Sequence, residues 1–120
     1  MKEIFGWGVL VGVMLTSAFA WAMAPAPFAP DPTAERAALQ HLDRCARGYL
    51  GARLERAKHI RYVADPSVTR AQTVLPDSVR LDPAWRADEW TLAHEMLHVA
   101  IGRPGHPQDI FNRCGLWRPE

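Results

Sequence analysis

The sequence predicts one small domain in which helices and short strands are mixed. Apolar residues recur at helical spacing in residues 32–48 and 89–101, and they alternate with polar residues in residues 59–64 and 78–82. The composition is that of a globular chain, because 48% of the 120 residues are hydrophobic and 22% are charged. This length allows no more than one such domain.

The charge balance and two absent motifs argue against several function classes. The chain has 14 Lys and Arg against 13 Asp and Glu, a formal net charge of +1. A nucleic-acid-binding domain usually carries a strong basic surplus, so we expect no nucleic-acid partner. Neither G-x-G-x-x-G nor G-x-x-x-x-G-K-[ST] occurs, so we do not expect nucleotide-dependent chemistry.

An uncharged apolar run covers residues 4–24. Small residues at Ala18, Ala20 and Ala22 offer cleavage sites, which indicates a secretory signal peptide at residues 1–24. The run is also long enough to stay as a membrane anchor, at roughly 20 residues per crossing. Both interpretations place the rest of the chain in the periplasm or outside the cell, and only an uncleaved anchor would contact the membrane.

The folded part begins after a proline-rich stretch. Four prolines within residues 25–32 predict a stiff, extended linker, so we assign the domain to residues 33–120. Asp31 and Pro32 are a typical helix start. In chain order, we expect a helix at 32–48, a strand at 59–64, a loop with room for a short strand at 73–75, a strand at 78–82, a helix at 89–101 between Asp88 and Gly102, and a last short helix at about 107–114.

Cys45 and Cys114 are the only cysteines. An even number in an exported chain predicts a disulfide, which would contribute roughly 4 kcal/mol by closing a long loop. Two unpaired thiols are the alternative. A cysteine-based zinc site is disfavoured, because the chain has no C-x-x-C pair.

The most informative motif is His94-Glu95-x-x-His98, which lies on the predicted helix at 89–101. Helical residues four apart share one face, so two imidazoles can bind one zinc ion. Glu95 can then take a proton from a water that the metal activates, which is the H-E-x-x-H mechanism of metalloproteases. The alternative is a surface helix with two solvated histidines and a carboxylate.

A catalytic zinc needs a third protein ligand and an open fourth position. His106 is our choice, since it follows a Gly-Arg-Pro-Gly turn that can return its side chain to the metal. Asp109 is the second choice, either as a ligand or as a hydrogen-bond partner of a ligand histidine. His41 and His59 lie far upstream, and we expect them at the surface or at a strand edge.

The sequence assigns no oxyanion stabiliser and no substrate platform. We expect the tryptophans to pack in the core rather than to bind substrate, because aromatic residues dominate small cores. Zinc can itself polarise a carbonyl, so the missing stabiliser does not exclude catalysis. The tryptophans in question are Trp85, Trp90 and Trp117, and the stabilisers suggested by chemistry alone are Tyr49, Tyr62 and Arg103.

The segment that contains this motif resembles the zincin peptidases of the minigluzincin type, among them the SprT-like and WLM families. The shared features are His94-Glu-x-x-His98, a short link with glycines, Gly-His106 and then an aromatic residue, Phe111 or, by its packing position, Ile110. The resemblance implies an α+β zincin fold with an N-terminal helix, a small sheet, an active-site helix and a C-terminal ligand helix.

The same resemblance implies site roles. His94, His98 and His106 would bind zinc, Glu95 would be the base, and the strand at 79–82 would edge the cleft and pair with substrate. The substrates of SprT-like proteins do not carry over, because those proteins act inside cells, often around DNA.

The expected function is therefore an exported zinc-dependent hydrolase, with one zinc per chain and a peptide or protein substrate. A zinc amidase that acts on cell-envelope material would need the same ligands. The non-enzymatic alternative is a binding or structural module stapled by zinc, or an inactive zincin. Glu95 separates these classes, since a purely structural site has no need for a carboxylate there.

Overall fold

A computed structural model describes residues 28–118 of the chain. Within them, the chain forms three α-helices and a small three-stranded mixed sheet, which confirms the α+β class. The predicted export segment at residues 1–24 lies outside the described residues. Of the helices within 28–118, none has the length and hydrophobicity needed to cross a bilayer.

Helix α1 (Pro32–Leu50) begins as predicted and ends two residues later than predicted. The Asp31 carboxylate accepts the backbone N–H of Ala34 at 3.1 Å and so caps the first turn. The chain leaves the helix at Gly51, whose φ of +56° suits a residue without a Cβ. One stripe of the helix faces the core, at a spacing of four residues: Ala34, Ala38, Leu42, Ala46 and Leu50.

The end of the proline-rich stretch packs on the domain. Pro30 is fully buried, Phe28 packs against the core, and the Asp31 N–H donates to the Arg86 carbonyl at 2.9 Å. Residues 28–31, which lie within the stretch 25–32 that the composition assigns to a linker, are therefore part of the packed structure. A proline suits burial here because it has no backbone N–H that needs a partner.

The three strands form a sheet in the order β1-β3-β2. The central strand β3 runs parallel to β1 and antiparallel to β2. All three predicted strands are present with shifted ends, because strand ends depend on pairing partners that local patterns do not show. After a 3₁₀ segment (Gly51–Lys58), the strands are β1 (Arg61–Ala64), β2 (Ala71–Val74) and β3 (Ser78–Leu81).

The strand that precedes the H-E-x-x-H helix in sequence cannot edge a cleft. Residues of β3 pair on both sides, and its Val79 and Leu81 are fully buried. The edge role implied for residues 79–82 is therefore wrong. Strand β2 folds back outside β3, so β2 is the edge strand that packs against the H-E-x-x-H helix.

That helix, α2 (Glu89–Ile101), forms the centre of the domain and has the bounds that its capping residues predict. The Asp88 carboxylate accepts the Thr91 N–H at 3.0 Å and the Thr91 hydroxyl at 2.6 Å. Gly102 ends the helix with φ +75°, in the left-handed region that favours glycine. The chain then turns into the short helix α3 (Gln108–Arg113).

A disulfide joins Cys45 of α1 to Cys114 at the end of α3, with a Cα–Cα distance of 5.2 Å. The predicted pairing is thus confirmed, and such a bridge is typical of an oxidising compartment. His41, one turn before Cys45, donates from Nε2 to the Cys114 carbonyl at 2.6 Å. The disulfide and this hydrogen bond therefore both hold the segment after α3 against α1.

Candidate metal centre

Three histidine side chains converge at one end of the cleft beside α2. The Nε2 atoms of His98 and His106 are 3.1 Å apart, and those of His106 and His94 are 3.3 Å apart. Their ligand nitrogens all lie within 4.8 Å of one another, so the cluster could hold a metal ion. The structure thus brings together all three residues that the sequence predicts as ligands.

Each histidine reaches the cluster for a local reason. His94 and His98 are one helical turn apart on α2 and therefore share a face. The left-handed Gly102 reverses the chain, and the loop that follows carries His106 back to them. His98 is buried, His94 is half-buried and His106 is exposed, so the cluster has one face open to solvent.

Backbone carbonyls fix the orientation of the two helical imidazoles. Nδ1 of His94 lies 2.9 Å from the Leu116 carbonyl oxygen, and Nδ1 of His98 lies 3.2 Å from that of Arg103. A carbonyl oxygen only accepts, so each Nδ1 carries the hydrogen and donates. The lone pair of each neutral ring is therefore on Nε2 and faces the cluster, which is the arrangement seen in metal-ligating histidines.

Burial also favours the neutral, ligating form of both rings. Desolvation lowers the pKa of His98 to about 4, against a smaller opposing effect of its hydrogen bond to Arg103. Desolvation likewise lowers the pKa of His94, and the positive charge of Arg118 adds to that effect. Both imidazoles are thus uncharged near neutral pH.

The aromatic ring of Phe111 packs against all three imidazoles of the cluster. Phe111 is fully buried, and its ring centroid lies 5.1 Å from those of His94 and His106 and 5.0 Å from that of His98. Phe111, rather than Ile110, is therefore the residue of this helix whose side chain packs against all three imidazoles.

Glu95 is buried beside the histidines, and a threonine holds its carboxylate. The Thr73 hydroxyl donates to Glu95 Oε2 at 2.5 Å. Thr73 belongs to the edge strand β2, so sheet and helix meet at this carboxylate. The sequence did not predict this partner, since no local pattern connects a residue of a short strand to a helix much later in the chain.

A cavity of about 590 Å³ opens beside the cluster. Two tryptophans, Trp90 and Trp117, line this cavity. Both also pack against the core, as predicted, so each has a packing role and forms part of the cleft wall. Trp90 stacks on His94 at 4.9 Å between centroids, and Trp117 meets His106 edge-on at 5.4 Å. The lining residues are Thr69, Arg70, Ala71, Trp90, Thr91, His94, Glu95, His106, Trp117 and Arg118.

Two arginines in this wall lie over indole rings. The Arg70 Cζ is 4.5 Å from the centroid of Trp85, and the Arg118 Cζ is 4.3 Å from that of Trp90. Neither arginine is among the residues that the sequence singled out. Arg70 follows a polar loop, and Arg118 lies near the chain end, where no periodic pattern marks a function.

The two other histidines, His41 and His59, and the acidic residue Asp109 lie away from the cluster. Asp109 is exposed in the first turn of α3 and does not join the ligand group. His41 is half-buried at the disulfide, where it also approaches Glu89 at 3.6 Å. His59 is exposed, as expected. The second-choice ligand role of Asp109 therefore has no geometric support.

The three residues suggested as oxyanion stabilisers do not line the cavity either. Tyr49 and Arg103 line a separate depression near Ile101, and Tyr62 faces a different cavity beside β1. Arg103 serves the site through its backbone carbonyl, which orients His98. Chemical type alone cannot place a side chain: Tyr49 lies on α1, Tyr62 on β1 and Arg103 in the loop after α2, and none of these positions faces the cleft.

Comparison with known proteins gives no assignment. No family model, no curated protein and no solved structure matches the chain. What the site can do chemically is set by the histidine cluster, the carboxylate of Glu95 and the cavity beside them.

Proposed function

We propose that this chain is an exported zinc-dependent hydrolase that cleaves peptide bonds. One observation carries the proposal: three imidazole nitrogens converge at the wall of an open cavity, with the carboxylate of Glu95 on the same helix beside them. A ligand cluster that faces a cavity leaves room for substrate, whereas a structural zinc site is closed by four protein ligands.

The spacing of the nitrogens suits zinc. Ligands that lie 2.0–2.1 Å from a tetrahedral zinc are about 3.3–3.4 Å from one another. Two of the three Nε2 separations here are 3.1 Å and 3.3 Å, and all three ligand nitrogens lie within 4.8 Å of one another. Imidazole is also a preferred ligand of zinc, and a set of neutral nitrogens disfavours calcium and magnesium, which prefer oxygen.

Bound at this position, zinc supplies Lewis acidity toward a carbonyl oxygen and activates water for attack. The chain supplies the proton transfers. With Oε2 held by Thr73, the Glu95 carboxylate has a fixed orientation and can take a proton from the attacking water. A carbon–oxygen bond then forms at the carbonyl, and the proton passes from Glu95 to the amine as the carbon–nitrogen bond breaks.

The position of the edge strand β2 favours a peptide as the substrate. Residues that adjoin and begin this strand, Thr69 to Ala71, line the same cavity as His94 and Glu95. An extended peptide can pair with the edge of a sheet, which would place its backbone along the cleft. Such pairing recognises the peptide backbone, and an amide of cell-envelope material would undergo the same chemistry at the site.

Export of the domain is part of the proposal. The disulfide between Cys45 and Cys114 requires an oxidising compartment to form and persist. The apolar run at residues 4–24 supplies a means of export, whether it is cleaved or kept as an anchor. The proposed place of action is therefore the periplasm or the cell exterior.

The test is digestion of a broad peptide library by the zinc-loaded chain and by its Glu95→Gln variant. Loss of a general base lowers turnover by about 10²–10⁴-fold, while zinc binding and folding are expected to survive. Glu89→Gln is a matched control, because Glu89 is exposed on the same helix and does not line the cavity. Equal cleavage by Glu95→Gln would overturn the mechanism, and a zinc-loaded parent that cleaves nothing would favour a zinc-stapled binding module.

A further inference from the structure

We propose that the cavity selects acidic peptides, which it recognises through the guanidinium groups of Arg70 and Arg118. This inference rests on the proposed hydrolase function and names the substrate class of the same site. A carboxylate near the bond to be cleaved would pair with one or both arginines while the peptide backbone lies along the cleft.

The charges that line the cavity are unbalanced. Arg70 and Arg118 bring two positive charges, and within the described part of the chain Glu95 is the acidic side chain that lines it. The Glu95 carboxylate is largely buried and already accepts a hydrogen bond from the Thr73 hydroxyl. A bound metal ion would add further positive charge, so the cleft favours an anionic ligand.

Within the described part of the chain, neither guanidinium group is held by an ion pair. Within residues 28–118 the ion pairs involve other cations, at Arg47, Lys58, Arg80 and His41. Each of the two cavity arginines instead has its Cζ over an indole ring, at 4.5 Å and 4.3 Å from the ring centroid. Stacking of this kind holds a guanidinium plane in place and leaves its N–H edge free to bind a carboxylate bidentately.

Trp90 places the charge of Arg118 close to the histidines. Its ring stacks on that of His94, with centroids 4.9 Å apart, and the Arg118 Cζ lies 4.3 Å from the centroid of the same ring. The Trp90 indole N–H also donates to the Gly115 carbonyl at 3.0 Å, which fixes the ring. Arg118 and the ligand His94 therefore contact the same indole ring, and both line the cavity.

Arg70 has an unusual backbone for an arginine. Its φ of +63° is in the left-handed region, which residues with a Cβ seldom occupy. The Asp82 N–H donates to the Arg70 carbonyl at 2.9 Å and helps to hold this conformation. Backbone strain of this kind concentrates at functional sites, and here it occurs at a cation in the cavity wall.

The edge strand favours a peptide over a nucleic acid as the anionic ligand. Strand β2 continues directly from Arg70, and an extended peptide can add to a sheet edge through its own backbone hydrogen bonds. A single-stranded oligonucleotide has no such pairing groups in its backbone, although its bases could stack on the tryptophans.

The experiment measures binding without cleavage. Three labelled peptides of equal length, which carry Glu, Gln or Lys at the same positions around a central Ala-rich segment, are titrated with the zinc-loaded full-length Glu95→Gln chain. Fluorescence anisotropy gives the dissociation constants at about 50 mM and about 300 mM salt. We expect the Glu peptide to bind roughly tenfold more tightly than the Gln peptide at low salt, and less so at high salt.

Variants assign the preference to the two arginines. In the same background, Arg70→Gln and Arg118→Gln are each expected to reduce the Glu-to-Gln affinity ratio by about three- to tenfold. Arg70→Lys and Arg118→Lys keep the charge and are expected to keep most of the ratio. Arg36→Gln is the matched control, because Arg36 is exposed on α1 and outside the cavity.

Equal affinities for the three peptides, or a ratio that neither Gln variant lowers, would overturn the inference. Tighter binding of a labelled oligothymidylate than of the Glu peptide would overturn it as well. Cleavage by the parent chain separates this inference from the proposed function. Charge-dependent binding without cleavage would refute the proposed hydrolase and support the acidic selectivity. Equal cleavage of all three peptides would support the hydrolase and refute the acidic selectivity.

Discussion

Replacing Cys45 and Cys114 by alanine removes the covalent tie between α1 and the segment that follows α3. The bridge joins residues separated by 69 positions, for which the chain-entropy relation gives a stabilisation of about 4 kcal/mol. Domains of this size are stable by only about 5–15 kcal/mol, and each kcal/mol shifts the melting temperature by roughly 4–8 °C. The melting temperature of the double variant is therefore expected to fall by about 15–30 °C.

The same substitution is expected to weaken metal binding. The freed segment contains the Gly115 carbonyl, which holds Trp90, and the Leu116 carbonyl, which accepts the Nδ1 hydrogen of His94 at 2.9 Å. Loss of a hydrogen-bond partner of a ligand histidine typically reduces metal affinity by about 10–100-fold. The disulfide thus acts on the site through the orientation of His94.

Calorimetry of the metal-free chain measures the first effect, and zinc competition with a chromophoric chelator measures the second. The parent chain is run oxidised and reduced, because reduction breaks the bond without a change of sequence. Arg44→Ala is the control, since Arg44 is exposed next to Cys45. A loss of stability below about 1 kcal/mol would refute the entropic reasoning, and unchanged zinc affinity in the folded variant would refute the link to His94.

Three further substitutions or conditions probe single contacts. His106→Ala is expected to lower zinc content from about one per chain to well below one by elemental analysis, whereas Asp109→Ala retains it; retention in both would remove His106 as a ligand. Thr73→Val leaves the Glu95 carboxylate without its hydroxyl donor, so urea denaturation is expected to show a loss of about 1–3 kcal/mol that Thr73→Ser restores. In the metal-free chain, burial lowers the pKa of His98 from 6.5 to about 4. Its contribution to stability is therefore present above pH 6.5 and is lost as the pH falls toward 4, by about 2 kcal/mol between pH 7 and pH 5; urea denaturation with no pH dependence over this range would contradict it.

Features that depend on local sequence were predicted well. The H-E-x-x-H helix has both ends where Asp88 and Gly102 place them, because a cap acts within one turn of its own residue. The pairing of His94 with His98 follows from helical periodicity alone. His106 could be proposed because only a short glycine-containing turn separates it from that helix.

Features that depend on the order of the strands were not predicted. The sequence predicts a strand at 78–82 and allows a short one at 73–75, but it does not show that β2 folds back to the outside of β3. Three features follow from that order. They are the hydrogen bond from Thr73 to Glu95, the location of Arg70 in the cavity wall and the pairing of Val79 within the centre of the sheet. These contacts join residues far apart in the chain, so no spacing rule could identify them.

X-ray absorption at the zinc edge, on the full chain loaded with one equivalent of zinc, tests the central claim most directly. We expect three imidazole nitrogens at about 2.0–2.1 Å and one oxygen from water, with the imidazole signal reduced in His106→Ala. Such a shell is that of an open, catalytic site. A fourth protein ligand, a sulfur scatterer, or an imidazole signal that the loss of His106 leaves unchanged would contradict the account.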